Sequence, residues 1–119
     1  MSGHIVFQRV EGLALCVAAT ALYFHSGYSW VSYVLLLFAF DISMVGYAVN
    51  ARVGAVTYNI GHSMIGPSLL AVLYIFQQSD LILGLACLWF AHIGIDRALG
   101  YGLKLSSSFH DTHLGKIGK

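Results

Sequence analysis

Charge is what this sequence has least of. Only 9% of its 119 residues are Asp, Glu, Lys or Arg, against about 25% in an ordinary globular domain. So few charges cannot cover the apolar surface of a small water-soluble domain. The 58% of hydrophobic residues also stand in long runs, without the alternation of a soluble fold. A soluble globular class is excluded, and the solvent implied is lipid. Cysteine occurs twice, as Cys16 and Cys87, each inside an apolar run. That excludes a disulfide framework and a zinc-finger spacing, and leaves two small core-filling residues. A net charge of +1 gives no reason to expect nucleic acid as a partner. Repeats, linkers and low-complexity tracts are absent, so one domain is expected.

What is there is four apolar segments: Val10 to Ser26, Trp30 to Val49, Val53 to Phe76, and Leu81 to about Leu103. A membrane span needs about 20 residues, with a range of roughly 17 to 25. Segments this long and apolar must be helices, because a bilayer offers backbone groups no other partner. The expected fold class is all-α, a polytopic membrane protein with four transmembrane helices in an up-down bundle. The first segment resembles a secretory signal, with Arg9 before it and Ala19-Thr20-Ala21 as a cleavage-like site. Glu11 at its start and three further spans argue against that reading. Arg9, Arg52, Arg97, Lys104, Lys116 and Lys119 all fall on one side of a four-span chain. The positive-inside rule makes that side cytoplasmic, with both termini inside and a cytoplasmic tail over 104–119. The expected location is the cell inner membrane.

The spans carry ionisable residues that cost about 2.5 to 3.5 kcal/mol each at mid-bilayer: Glu11, Asp41, His62, His92 and Asp96. A rise of about 1.5 Å per residue places Asp41 about 16 Å past Trp30, near the midplane, and His62 and His92 at the same level. His92 and Asp96 are spaced i, i+4 and share a face. Asp96, Tyr58 and Asn59 lie one turn nearer the cytoplasm, and Glu11 and Arg97 at its edge, with Arg97 a counter-ion for Asp96 or Glu11. The polar groups thus form a column open to the cytoplasm. Pro67 cannot donate to Ser63, so the third span should bend just outside His62. Gly94, Ala98 and Gly102 make a small-residue stripe suited to close helix contact, within the bundle or in a homo-oligomer.

Imidazole nitrogens and carboxylate oxygens on facing helices suit one divalent metal, such as zinc, manganese or iron. Asp41, His62, His92 and Asp96 are the expected ligands. An ion there would activate water, with Glu11 or Asp96 as base. The same residues equally suit a proton or small-solute pathway, or buried hydrogen bonds tying a non-catalytic scaffold together. In the tail, His110, Asp111 and His113 form a second candidate site, for a metal or as a cap on the column.

FDISMVGY (Phe40 to Tyr47), YNIGHS (Tyr58 to Ser63), AHIGIDRALGYGLK (Ala91 to Lys104) and DTHLGKIG (Asp111 to Gly118) resemble a small bacterial membrane family. It is catalogued as a domain of unknown function, number forty-two sixty. The resemblance covers nearly the whole chain and implies an integral membrane protein, with no activity attached. The order Asp41, His62-Ser63, His92-x-x-x-Asp96 and Gly100 is also similar to membrane-bound metal-dependent hydrolases under LexA control. That pattern has paired acids where this chain has Asp41 alone. It has a further histidine where this chain has Thr57, Tyr58 and Asn59. The resemblance therefore implies one metal at most, and the sharpest functional expectation for the site is a metal-dependent hydrolase acting on a lipid-like substrate.

Overall fold

The computed structural model describes residues 3–37, 39–105 and 111–116. Its helices are α1 (Gly3–His25), α2 (Trp30–Leu37), a 3-10 helix (Ala39–Ala48), α3 (Ala51–His62), α4 (Ile65–Gln77) and α5 (Asp80–Leu99). Two short strands, β1 (Asp111–Thr112) and β2 (Gly115–Lys116), close an antiparallel hairpin in the tail. Four segments are long and apolar enough to cross a membrane: Gly3–His25, Trp30–Ala48, Ala51–Gln77 and Asp80–Leu99. The class is all-α, as the apolar runs require.

Two of the four spans are not continuous α-helices. The second changes from α to 3-10 after Leu37. A run of ten 3-10 residues is unusual, since such helices seldom exceed three or four. The tighter winding lengthens the span. Eight residues rising about 1.5 Å and ten rising about 2.0 Å reach about 32 Å, enough for a hydrocarbon core of about 30 Å. The third span breaks where Pro67 led us to expect it. Ser63 is extended (φ −89°, ψ 147°), and α4 restarts at Ile65 with Pro67 buried in its first turn. Both breaks lie near the middle of their spans.

Helix α5 is the hub. Half of its span is buried, against 11–17% for the other three. The remaining apolar side chains point outward, Phe7, Leu35, Ile42, Ile65 and Phe76 among them, and only lipid suits that surface. Helix α5 stops at Leu99, four residues short of the expected Leu103. Gly100 adopts φ +92° there, Gly100 N donates to Arg97 O (3.0 Å), and Tyr101 N donates to Asp96 O (2.7 Å). This is a Schellman ending, which needs the left-handed conformation glycine supplies.

Helices α1 and α5 meet through glycines. A Cβ on Gly94 would lie 2.6 Å from both Cys16 N and Gly12 O, and one on Gly12 would lie 2.4 Å from Arg97 Cβ and 3.0 Å from Ala98 N. Gly102 is covered by His113 and Leu114 of the hairpin. The stripe Gly94, Ala98, Gly102 is therefore occupied within one chain. It is not a free homo-oligomer face, because α1 and the tail already fill it. Gly94→Ala forces these backbones apart and is expected to cost about 1–3 kcal/mol, as overpacking does elsewhere. Thermal unfolding in detergent measures it; an unchanged midpoint would contradict the close crossing.

At the end away from the basic residues, Tyr23 stacks on Tyr28 (centroids 4.8 Å), and Phe24 and Tyr33 pack around them. Tyr23 hydrogen-bonds Ser32, and Tyr28 donates to the Asp80 carbonyl. Amphipathic rings of this kind suit the headgroup level.

Candidate metal centre

Three elements bring four side chains to one point. Asp41 comes from the 3-10 helix, His62 is the last residue of α3, and His92 and Asp96 stand one turn apart on α5. His62 Nε2 lies 2.9 Å from His92 Nε2, 3.2 Å from Asp41 Oδ1 and 3.2 Å from Asp96 Oδ2. His92 Nε2 lies 3.2 Å from Asp41 Oδ1 and 3.3 Å from Asp96 Oδ2. One ligand atom from each residue falls within 4.8 Å of the others. Four ligands about 2.0–2.1 Å from a tetrahedral ion sit roughly 3.3 Å apart. Five of the six separations lie near that value, and all six fall within 4.8 Å.

The backbone orients His62. His62 Nδ1 is 3.0 Å from the Tyr58 carbonyl and 3.2 Å from Ser43 Oγ. A carbonyl only accepts, so Nδ1 carries the proton and Nε2 keeps its lone pair. The same arrangement fixes the tautomer of metal-binding histidines generally. His62 Nε2 and His92 Nε2, 2.9 Å apart, stay this close only with a proton or a cation between them. The Tyr58 ring stacks flat on His62 (3.8 Å, 3°) and holds its plane.

Arg97 makes backbone hydrogen bonds in place of a direct ion pair. It is buried, donating from Nη2 to His62 O (2.9 Å) and from Nη1 to Tyr101 O (3.1 Å), and forms no ion pair among the described residues. Breaking the third span leaves the last carbonyls of α3 without their helical partners. Arg97 satisfies one, and Trp89 Nε1 donates to Gly61 O (2.6 Å). A cation at a helix C-terminus is favoured by the dipole as well. Glu11 is not part of the centre. It sits on the exposed face of α1 and has no ion pair or hydrogen bond among the described residues, while its neighbour Gly12 faces Arg97.

The column is not open at the basic end either. Asn59 grips the backbone of Lys104 with two bonds, Lys104 N to Oδ1 (2.6 Å) and Nδ2 to Lys104 O (2.9 Å). The Lys104 ammonium lies over the Tyr58 ring, 4.7 Å from its centroid. Burial pushes that ammonium down to about 8, partly offset by Asp96. Lys104 also pairs with Thr112, so the hairpin covers this end, with Thr112 and Leu114 buried. No periodicity marked Lys104; its neighbour Gly102, which lets the hairpin approach, was the one available signal.

Of the proposed tail site, His110 lies outside the described residues, and Asp111 takes part through its backbone, paired with Lys116. His113 is a latch rather than a metal ligand. Leu103 N donates to its Nδ1 (2.8 Å), so Nε2 bears the proton and donates to Gln8 Oε1 (3.1 Å). Burial and then Arg97 lower its pKa; the Leu103 contact partly offsets them. The undocked imidazole therefore takes up protons first, and docking is strongest above about 6.5 and weakens as pH falls below it. Hydrogen exchange around Leu103, corrected for intrinsic rates, should accelerate between pH 7.5 and 5.5; a constant corrected rate would contradict the latch.

Cys16 and Cys87 are free thiols packed among apolar side chains, as their setting predicts. Comparison with known proteins adds no activity. Neither a curated protein nor a solved structure matches the chain. Over residues 5–117 the sequence matches the Domain of unknown function (DUF4260), and the chain belongs to that family.

Proposed function

We propose that this protein is a small integral membrane enzyme that uses one divalent ion, zinc, manganese or iron, to hydrolyse a lipid-like substrate. The observation that carries the reading is the convergence of Asp41, His62, His92 and Asp96 within 4.8 Å, with both imidazole Nε2 atoms aimed at the same point. Catalytic sites of this kind keep three protein ligands and one open position. His62, His92 and Asp41 are the holding set, and Asp96 is the base, since Glu11 faces away. A divalent ion supplies Lewis acidity and lowers the pKa of water. Asp96, 3.2–3.3 Å from both imidazoles, is placed to take the proton. The order of these residues resembles that of membrane-bound metal-dependent hydrolases. Broken helices at mid-membrane also accompany binding sites in other membrane proteins.

A proton or solute pathway through the same column has less support, because Tyr58, Lys104 and the hairpin fill its basic end. The test is fatty-acid release from a lipid ester by reconstituted protein, metal-loaded and chelated, with Asp96→Asn alongside. Removing the ion or the base should each lower the rate by at least about 100-fold. Equal rates in all three samples would overturn the reading.

We place the protein in the inner membrane with both termini cytoplasmic, on the segregation of its six basic residues. A reporter active only in the periplasm, fused after Lys119, should be silent; an active fusion would contradict that orientation.

A further inference from the structure

We infer that the centre opens sideways into the hydrocarbon of the bilayer, past Asp41, and takes an uncharged lipid ester or amide. This rests on the hydrolase reading above and names its substrate class. Access is decided by which ligand is exposed. The side chains of His62, His92 and Asp96 are 0%, 1% and 12% exposed, whereas that of Asp41 is 42% exposed. The basic end is shut, because Tyr58, Lys104 and Arg97 are buried against the far side of His62.

The 3-10 helix explains the opening. Side chains at i and i+3 eclipse in such a helix, giving it three faces. Ala39, Ile42, Val45 and Ala48 form an exposed apolar face. Ser43 and Gly46 face α3, at His62 and Thr57. Asp41, Met44 and Tyr47 form the third face, half-buried, between the other two. Asp41 therefore lies where the lipid-facing surface meets the centre, near the midplane.

Charge sets the substrate class. Two carboxylates and a divalent ion sum to zero, so the centre offers an anionic headgroup no net attraction. Arg97 and Lys104 lie on the closed side. Bringing a phosphate to the midplane would carry the cost of placing a charge in hydrocarbon. A neutral ester or amide avoids it. Hydrolysis there consumes one water. The acyl C–O or C–N bond breaks, a C–O bond to the water oxygen forms, and the proton passes through Asp96 to the leaving oxygen or nitrogen.

The experiment uses the full chain reconstituted with its metal in phosphatidylcholine vesicles. It compares a photoactivatable diacylglycerol with a photoactivatable phosphatidylglycerol of the same chains. Diacylglycerol should label the face of Asp41, Met44 and Tyr47, exceeding phosphatidylglycerol there at least about tenfold, as the cost of one buried charge allows. Met44→Trp, on the face of Asp41, should remove that labelling while stoichiometric metal is retained. A spin label at Ile42→Cys, with both native cysteines replaced, should be quenched by oxygen more than by a water-soluble nickel chelate. Equal labelling of the Asp41, Met44 and Tyr47 face by the two lipids, or a metal-loaded protein without labelling there, overturns the opening and leaves the hydrolase reading standing. So does a disulfide-linked dimer through Ile42→Cys, which would mean a second copy covers this face. A metal-free wild type that still labels there supports the opening and fails the hydrolase reading instead.

Discussion

His92→Ala is expected to strip the divalent ion from the protein. The substitution removes a nitrogen that lies 2.9–3.3 Å from all three other ligand atoms, so nothing remains to close that side of the centre. Affinity should fall by at least about 100-fold, the upper end of what losing a mere orienting group costs. The helices should stay inserted, because removing a polar group from a bilayer segment favours insertion. Metal content after dialysis at fixed free metal, with a thermal melt of the same samples, decides the matter. Loss of metal with a small change in the melt is the expected result. A large drop in the melt from a wild type that held no metal would instead mean that the four residues only tie the helices together. Because protons compete for the imidazole nitrogens, binding should also weaken on acidification.

Arg97→Met should be the most destabilising single change. Its stem can be replaced, but its guanidinium satisfies the buried carbonyl of His62 and the part-buried one of Tyr101. Charged hydrogen bonds are worth about 1.5–3 kcal/mol each, and a buried acceptor left alone carries its full desolvation cost. The expected loss is about 3 kcal/mol or more in detergent unfolding. Arg97→Lys should recover only part of it, since an ammonium lacks the planar fork that reaches both oxygens. A loss below about 0.5 kcal/mol would contradict the role given to Arg97. The metal centre should loosen with it, because Arg97 grips the carbonyl of the residue that supplies His62 Nε2.

Much of this was legible from the residues. Run length and the scarcity of charge gave four spans. Counting residues put Asp41, His62 and His92 at one level, and the i, i+4 spacing put His92 and Asp96 on one face. Pro67 foretold the break beside His62. What failed had physical reasons. Counting gives depth but not direction around the helix, so Glu11 stood level with Arg97 while its side chain turned outward. Apolar runs do not report rise per residue, so the 3-10 stretch and the half-exposed position of Asp41 were invisible. Small residues signal a close crossing without naming the partner, which is α1 and the hairpin. The role of Arg97 exists only because α3 ends early. Lys104 and His113 become structural because glycines at 100 and 102 let the chain turn back on itself.

The central claim is that His62, His92 and Asp41 hold a metal ion, with Asp96 beside it as base. X-ray absorption on the wild-type protein, purified without chelator and analysed for metal content, tests it most directly. One divalent ion per chain, with two imidazole nitrogens at about 2.0–2.1 Å and oxygens beside them, is the expected result. A protein that stays without stoichiometric metal when offered zinc, manganese and iron(II), or an ion ligated without imidazole, would contradict the account.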